Sequence, residues 1–90
     1  MAIRLHAGNG RTVPVSRIVG IFDMDTATVS EVTKNYLRRA EAEGKTELIV
    51  EELPKSFIVT ADGMNYYSQI STSSLIGRAE LAEWRKTNGQ

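Results

Sequence analysis

From Ile3 the chain alternates, with Ile3 and Leu5 apolar and Arg4 and His6 polar, the period of two that marks a strand with one buried face. Gly8-Asn9-Gly10 follows, a run that tolerates positive φ and predicts a hairpin turn. Thr12 to Phe22 reads as the second strand, with Val13, Val15, Arg17, Val19 and Ile21 on one face and Pro14, Ser16, Ile18, Gly20 and Phe22 on the other. Its second half is apolar on both faces, as in a strand pressed between two layers. Pro14, which has no N–H, confines its own stretch to an edge or a bulge.

Asp23, Asp25 and Thr26 end that strand, and Thr28-Val29-Ser30-Glu31 has the spacing of a capping box that starts a helix. Val29, Val32, Tyr36, Leu37 and Ala40 recur at helical spacing and predict a stripe that covers one face of the sheet, with Gly44 as the stop. Leu48 to Leu53 and Ser56 to Asp62 read as strands separated by Pro54, and Asp62-Gly63 turns the chain into a further strand from Asn65 to Ile70. Ser71-Thr72-Ser73-Ser74 offers caps for a last helix through about Trp84, with Arg85 to Gln90 as a frayed tail. In that helix Leu75, Ala79 and Ala82 share one side while Leu81 and Trp84 point nearly the opposite way, toward a neighbouring subunit or into solvent. The predicted fold is a single α+β domain over residues 1–84, a small antiparallel sheet with two helices in the order β-β-α-β-β-β-α.

Composition sharpens this picture in three ways. Ninety residues without a cysteine form one small core with no disulfide, so good packing or self-association has to supply stability. No stretch approaches the roughly 20 apolar residues that span a bilayer, and Met1 to His6 carries no apolar signal core; with the absence of cysteine this predicts a cytoplasmic protein. The 11 basic and 11 acidic residues cancel, but unevenly. Residues 1–22 hold Arg4, Arg11 and Arg17 without an acid, whereas residues 41–52 hold five glutamates against Lys45.

Nothing marks an active site or calls for a cofactor. The only histidine, His6, faces away from Ile3 and Leu5, as a solvent or interface residue does rather than a catalytic one. Asp23 and Asp25 are turn residues without the further ligands of a calcium loop, and Gly8-Asn9-Gly10 lacks the lysine and following helix of a phosphate loop. Arg17 stands out because it interrupts an apolar strand, and an unpaired guanidinium does not belong in a core. Two readings are open: it pairs with an acid of another strand or subunit, or it emerges and binds a phosphate through its planar fork. Lys55 and Arg78 are weaker candidates for the same contact.

At Val15-Ser16-Arg17-Ile18-Val19-Gly20-Ile21-Phe22-Asp23 the chain resembles the second strand of the bacterial extracellular-matrix regulator family, the RemA/RemB-like proteins. The resemblance continues through Pro54-Lys55-Ser56-Phe57-Ile58-Val59-Thr60, Tyr66-Tyr67-Ser68, Ile70-Ser71, Ser73-Ser74-Leu75 and Arg78-Ala79, and is greatest to the RemB branch. It implies a LytTR-like fold, a ring-like homo-oligomer, and DNA-associated regulation of biofilm-matrix genes, with Arg17 where the family has an arginine implicated in DNA contact. The chain departs from the RemA branch at a pair of arginines before the fourth strand, where it has Glu51-Glu52-Leu53-Pro54-Lys55. Two functions of different class therefore stand side by side. One is a ring that binds DNA phosphates through Arg17, with Lys55 and Arg78 in support; the other is an oligomeric scaffold that contacts a protein partner and no DNA.

Overall fold

The structure is a computed structural model that describes residues 3–50 and 52–87, with side chains through Leu81. Its architecture is α+β, with two sheets. Strands β1 (Arg4–Gly8) and β2 (Arg11–Pro14) form an antiparallel hairpin, closed by Gly8, Asn9 and Gly10, all at positive φ as their sequence predicts. Strands β3 (Ile18–Asp23), β4 (Thr46–Leu48), β5 (Ser56–Thr60) and β6 (Asn65–Ser68) form a second sheet in the order β3-β5-β6-β4. β3, β5 and β6 are antiparallel neighbours, but β4 runs parallel to β6, which makes this sheet mixed where an antiparallel one was expected. A one-turn helix α1 (Met24–Ala27) and two longer helices, α2 (Glu31–Ala42) and α3 (Thr72–Thr87), complete the fold.

The main correction concerns Thr12 to Phe22. It is not one strand but two, in different sheets, joined by a 3-10 turn over Val15–Arg17. Pro14 ends the first, consistent with its missing N–H, and the turn reverses the alternation, so that Val15 is buried while Arg17 is exposed. A bulge at Val19 then shifts the register of β3 against β5, leaving that valine 69% exposed and Ile21 facing the core. The expected face of Val13, Val15, Arg17, Val19 and Ile21 therefore does not exist.

The core lies between the hairpin, α3 and one face of the four-stranded sheet. Leu5, Ala7 and Val13 of the hairpin meet Ile58 of β5, Ile49 and Leu75 of α3, with Ile18, Ile21 and Tyr66 packed around them. Buried hydroxyls seal the join: Ser68 Oγ donates to the Ala7 carbonyl at 2.6 Å and Ser56 Oγ donates to the Ile70 carbonyl at 2.5 Å. Asn9 Nδ2 donates to the Ile49 carbonyl at 2.7 Å and Arg11 pairs with Glu47 at 2.5 Å, so the hairpin is tied to β4 as well.

Helix starts differ from expectation in an informative way. Asp23 Oδ1 accepts the amides of Asp25 and Thr26 and thereby caps α1, which assigns Asp23 a structural task. Thr28, expected to begin a long helix, ends α1, and Ser30 caps α2 through the Thr33 amide. Val29 thus falls outside α2. Of the predicted stripe, Leu37 and Ala40 are buried, but Val29 and Val32 are each 79% exposed, so the helix covers its side of the sheet only in part. Ser71 caps α3 through the Ser74 amide, and the helix continues to Thr87, past the predicted end. Leu75 is fully buried and Leu81 is half exposed on the other side, while the side chains of Ala82 and Trp84 lie outside the described residues.

Candidate nucleic-acid interface

The three basic residues singled out by sequence do not form one cluster. Arg17 stands in the exposed 3-10 turn, and its carbonyl accepts the Ala61 amide at 2.8 Å, fixing the turn to the end of β5. Lys55 precedes β5 at the other end of the same strand pair, since Ile18 faces Thr60 and Asp23 faces Ser56. Six residue steps separate Lys55 from Ala61, the residue bonded to the Arg17 turn, about 20 Å at a strand's rise per residue. Arg78 is on α3, which packs against β1, β3 and the Arg17 turn. Its Nη1 donates to the His6 carbonyl at 2.9 Å.

The reading that Arg17 pairs with an acid of its own chain is not met among the described residues: their ion pairs are Arg11–Glu47 and Lys34–Glu31. The Arg17 charge acts on Asp62, in the turn after β5. Hydrogen bonds from the Thr60 hydroxyl and the Met64 amide hold the Asp62 carboxyl below its ordinary value, with the Arg17 charge as the weakest contribution.

A second basic surface was not singled out by sequence. Arg4 and His6 share the exposed face of β1, since they are two apart on a regular strand. The Arg4 guanidinium reaches across the hairpin, donating from Nε to Thr12 Oγ1 at 2.6 Å and from Nη2 to the Thr12 carbonyl at 3.1 Å. Arg78 arrives from α3 at the His6 backbone, so Arg4 and Arg78 both anchor on the hairpin, at Thr12 and at the residue paired with it. Both residues are exposed, and a guanidinium has five N–H donors, more than these hydrogen bonds use. The signal was in the sequence, in the unbalanced basic charge of residues 1–22, but the partnership of Arg4 with Arg78 needs the packing of α3 on β1.

Lys55 is exposed and its backbone is fully engaged, its amide donating to Ser68 and its carbonyl accepting from Met24. Among the described residues no group of three acids, histidines or cysteines stands together as a metal site, and no helix is long and apolar enough to cross a membrane.

A different feature occupies the other side of the sheet. A cleft of about 360 Å³ runs between β3, β5 and the first half of α2, lined by Val19, Phe22, Phe57, Val59, Val32 and Tyr36 among others. Phe22 stacks on Phe57 with ring centroids 5.2 Å apart, and Tyr67 meets Phe57 edge-on at 6.3 Å. Burial beneath α2 pushes the Tyr67 phenol above its ordinary value, so it stays neutral. The cleft presents almost no polar group; it suits an apolar side chain better than a nucleotide.

No known protein-family model matches the chain, and a search of curated proteins finds no match either.

Proposed function

We propose that the chain is a self-assembling, DNA-associated regulator of the extracellular-matrix regulator type, with the LytTR-like fold that this resemblance implies. The observation that carries the reading is the position of Arg17. It stands exposed on a backbone-anchored turn, without an ion-pair partner among the described residues, at the position where the resembled family uses an arginine on DNA. Arg4 and Arg78 add a second pair of guanidinium groups on the hairpin side. A neutral subunit with a few such groups binds one phosphate weakly. A ring repeats them by symmetry, and the repeated contacts add along a curved duplex. Lys55, at the far end of β5 from Arg17, supports the reading least.

The test is fluorescence anisotropy of a labelled duplex titrated with assembled protein across a salt series. Phosphate contacts release counterions, so affinity is expected to fall steeply with salt, and Arg17→Ala is expected to weaken binding and flatten that slope while leaving the assembled mass unchanged. Unchanged affinity in an assembled Arg17→Ala variant removes Arg17 from the interface. No binding by the assembled wild type at low salt favours the second reading, a protein scaffold, for which the apolar cleft speaks.

A further inference from the structure

A strand at the edge of a sheet is a template for a further strand unless something blunts it, and among the described residues three of the four sheet edges are blunted. In the hairpin the Val15 amide bonds to the Ile3 carbonyl, which makes Leu5 and Val13 a bonded pair and turns the backbone groups of His6 and Thr12 outward. The Arg78 guanidinium occupies the outward His6 carbonyl at 2.9 Å. The Arg4 guanidinium occupies the outward Thr12 carbonyl at 3.1 Å, and Pro14 offers no N–H. β4 is three residues long, and Asn9 takes the carbonyl of Ile49 just past its end at 2.7 Å. β3 has none of these guards, and past its bulge at Val19 the stretch from Gly20 to Asp23 keeps a regular register with β5.

The ladders on either side of β5 show which groups β3 leaves over. Thr60 donates its amide to the Met64 carbonyl, so Ser56, Ile58 and Thr60 bond toward β6, while Phe57 and Val59 bond toward β3. Their partners on β3 are Phe22 and Gly20, and the amide and carbonyl of Ile21 between them point away from the sheet. No backbone group among the described residues bonds to either. The Ile21 side chain packs on the core yet stays only half-buried, so α3 does not close this edge, and Val19 and Phe22 beside it are exposed.

We propose that β3 pairs antiparallel with β3 of a second copy of this chain, about a two-fold axis at Ile21, so that two four-stranded sheets become one. A second copy fits because β3 is also the one unguarded edge that it offers in return. Charge sets the direction. Arg17 is exposed at the start of β3 and Asp25 is exposed just past its end, so antiparallel pairing sets each Arg17 beside the acidic end of the other strand, whereas parallel pairing opposes like charges. Shape favours the register: centring on Ile21 puts Phe22 of one copy beside Gly20 of the other, where no Cβ crowds the ring, whereas centring on Asp23 opposes two carboxylates. An exposed ion pair is weak, so Arg17 orients the copies without being withdrawn from solvent. The inference rests on the self-assembly proposed above and specifies one of its contacts.

Hydrogen exchange of the full-length wild type, read amide by amide by NMR and paired with the mass from sedimentation, tests the contact without a mutation. The Phe22 amide bonds to β5 in either state and serves as the internal reference. The Ile21 amide is expected to be protected like that of Phe22 in the assembled chain, and to exchange as an unbonded amide after dilution to monomer. Oxidation of Ile21→Cys then identifies the partner. The chain has no cysteine of its own, and Cα atoms of such a pair stand about 5.5 Å apart, within the range a disulfide bridges. With oxidised glutathione a covalent dimer is expected from Ile21→Cys, at a concentration where Val32→Cys on the exposed side of α2 gives none. Rapid Ile21 exchange in an assembled wild type overturns the edge contact and leaves assembly standing. A protected Ile21 amide without a covalent dimer from a folded Ile21→Cys variant overturns the two-fold pairing. A monomeric wild type overturns the assembly itself, and this contact with it.

Discussion

The two faces of the four-stranded sheet are built from the same strands and have opposite fates. One presents Ile21, Ile58 and Tyr66 to the hairpin and α3 and is closed over, with Ile58 and Leu75 at 0% exposure. The other presents Phe22, Phe57, Val59 and Tyr67 to α2, which buries Leu37 and Ala40 at its far half and leaves a cleft along its near half. Composition does not explain the contrast, since both faces are apolar. Coverage does: α3 and the hairpin bury the residues of their side, whereas α2 starts two residues later than its apolar stripe and leaves Val32 exposed. The closed face holds the fold and fixes the hairpin arginines; the open face is surface still available to a partner.

The contrast breaks most sharply on a pair of truncations. Leu75→Ala removes a fully buried side chain from the closed face and is expected to destabilise the chain by about 2–5 kcal/mol. Val32→Ala trims the open face and is expected to change monomer stability by less than about 0.5 kcal/mol. Urea unfolding of both, at a concentration where the chain is monomeric, measures the difference. Similar losses would mean that α2 packs as tightly as α3, and the contrast would fall.

A smaller effect sharpens the open face. A Cβ at Gly20 would stand 2.7 Å from two ring carbons of Phe22, so Gly20→Ala has to push that ring away from its stack on Phe57. The lost aromatic pairing is expected to cost about 0.5–1.5 kcal/mol. It is also expected to reshape the cleft, so that assembled mass falls more than stability does. A variant as stable and as assembled as wild type would show that the ring has an equivalent place to go.

Much of this was legible beforehand, and the failures share a cause. The hairpin was readable because Gly8-Asn9-Gly10 offers three positions at positive φ and the alternation of Ile3 to His6 has one solution. The β5–β6 hairpin was readable from Asp62-Gly63 for the same reason. The break after Pro14 was not, because Val13 to Ile21 alternates well enough to pass as one strand; only the competition between two sheets for its halves shows that a turn belongs there. The exposed position of Arg17 follows from that break. Its misfit among valines was the visible signal, and a turn was the answer, neither a buried pair nor a gap in a strand face. The parallel pairing of β4 with β6 is equally non-local, and no residue of Thr46–Leu48 announces it.

The smallest prediction concerns the turn shared by the two faces, where Asp62 stands beside the Arg17 loop. Its carboxyl titrates below the ordinary aspartate range, first because the Thr60 hydroxyl donates to it and then because the Met64 amide does. A depressed folded-state value means that Asp62 contributes stability above the ordinary aspartate range and loses it as pH falls through the depressed value. Thr60→Val keeps the shape of a buried side chain and removes the hydroxyl. The Asp62 titration, followed by carboxyl carbon NMR, is therefore expected to move up toward the ordinary range, and the acid limb of stability to begin at higher pH. The Leu75 and Val32 comparison should be unaffected at neutral pH, where Asp62 is ionised in both proteins. An unmoved titration would assign the depression to the Met64 amide and the Arg17 charge, and would place Arg17 in closer electrostatic contact with this turn than its lack of an ion pair implies.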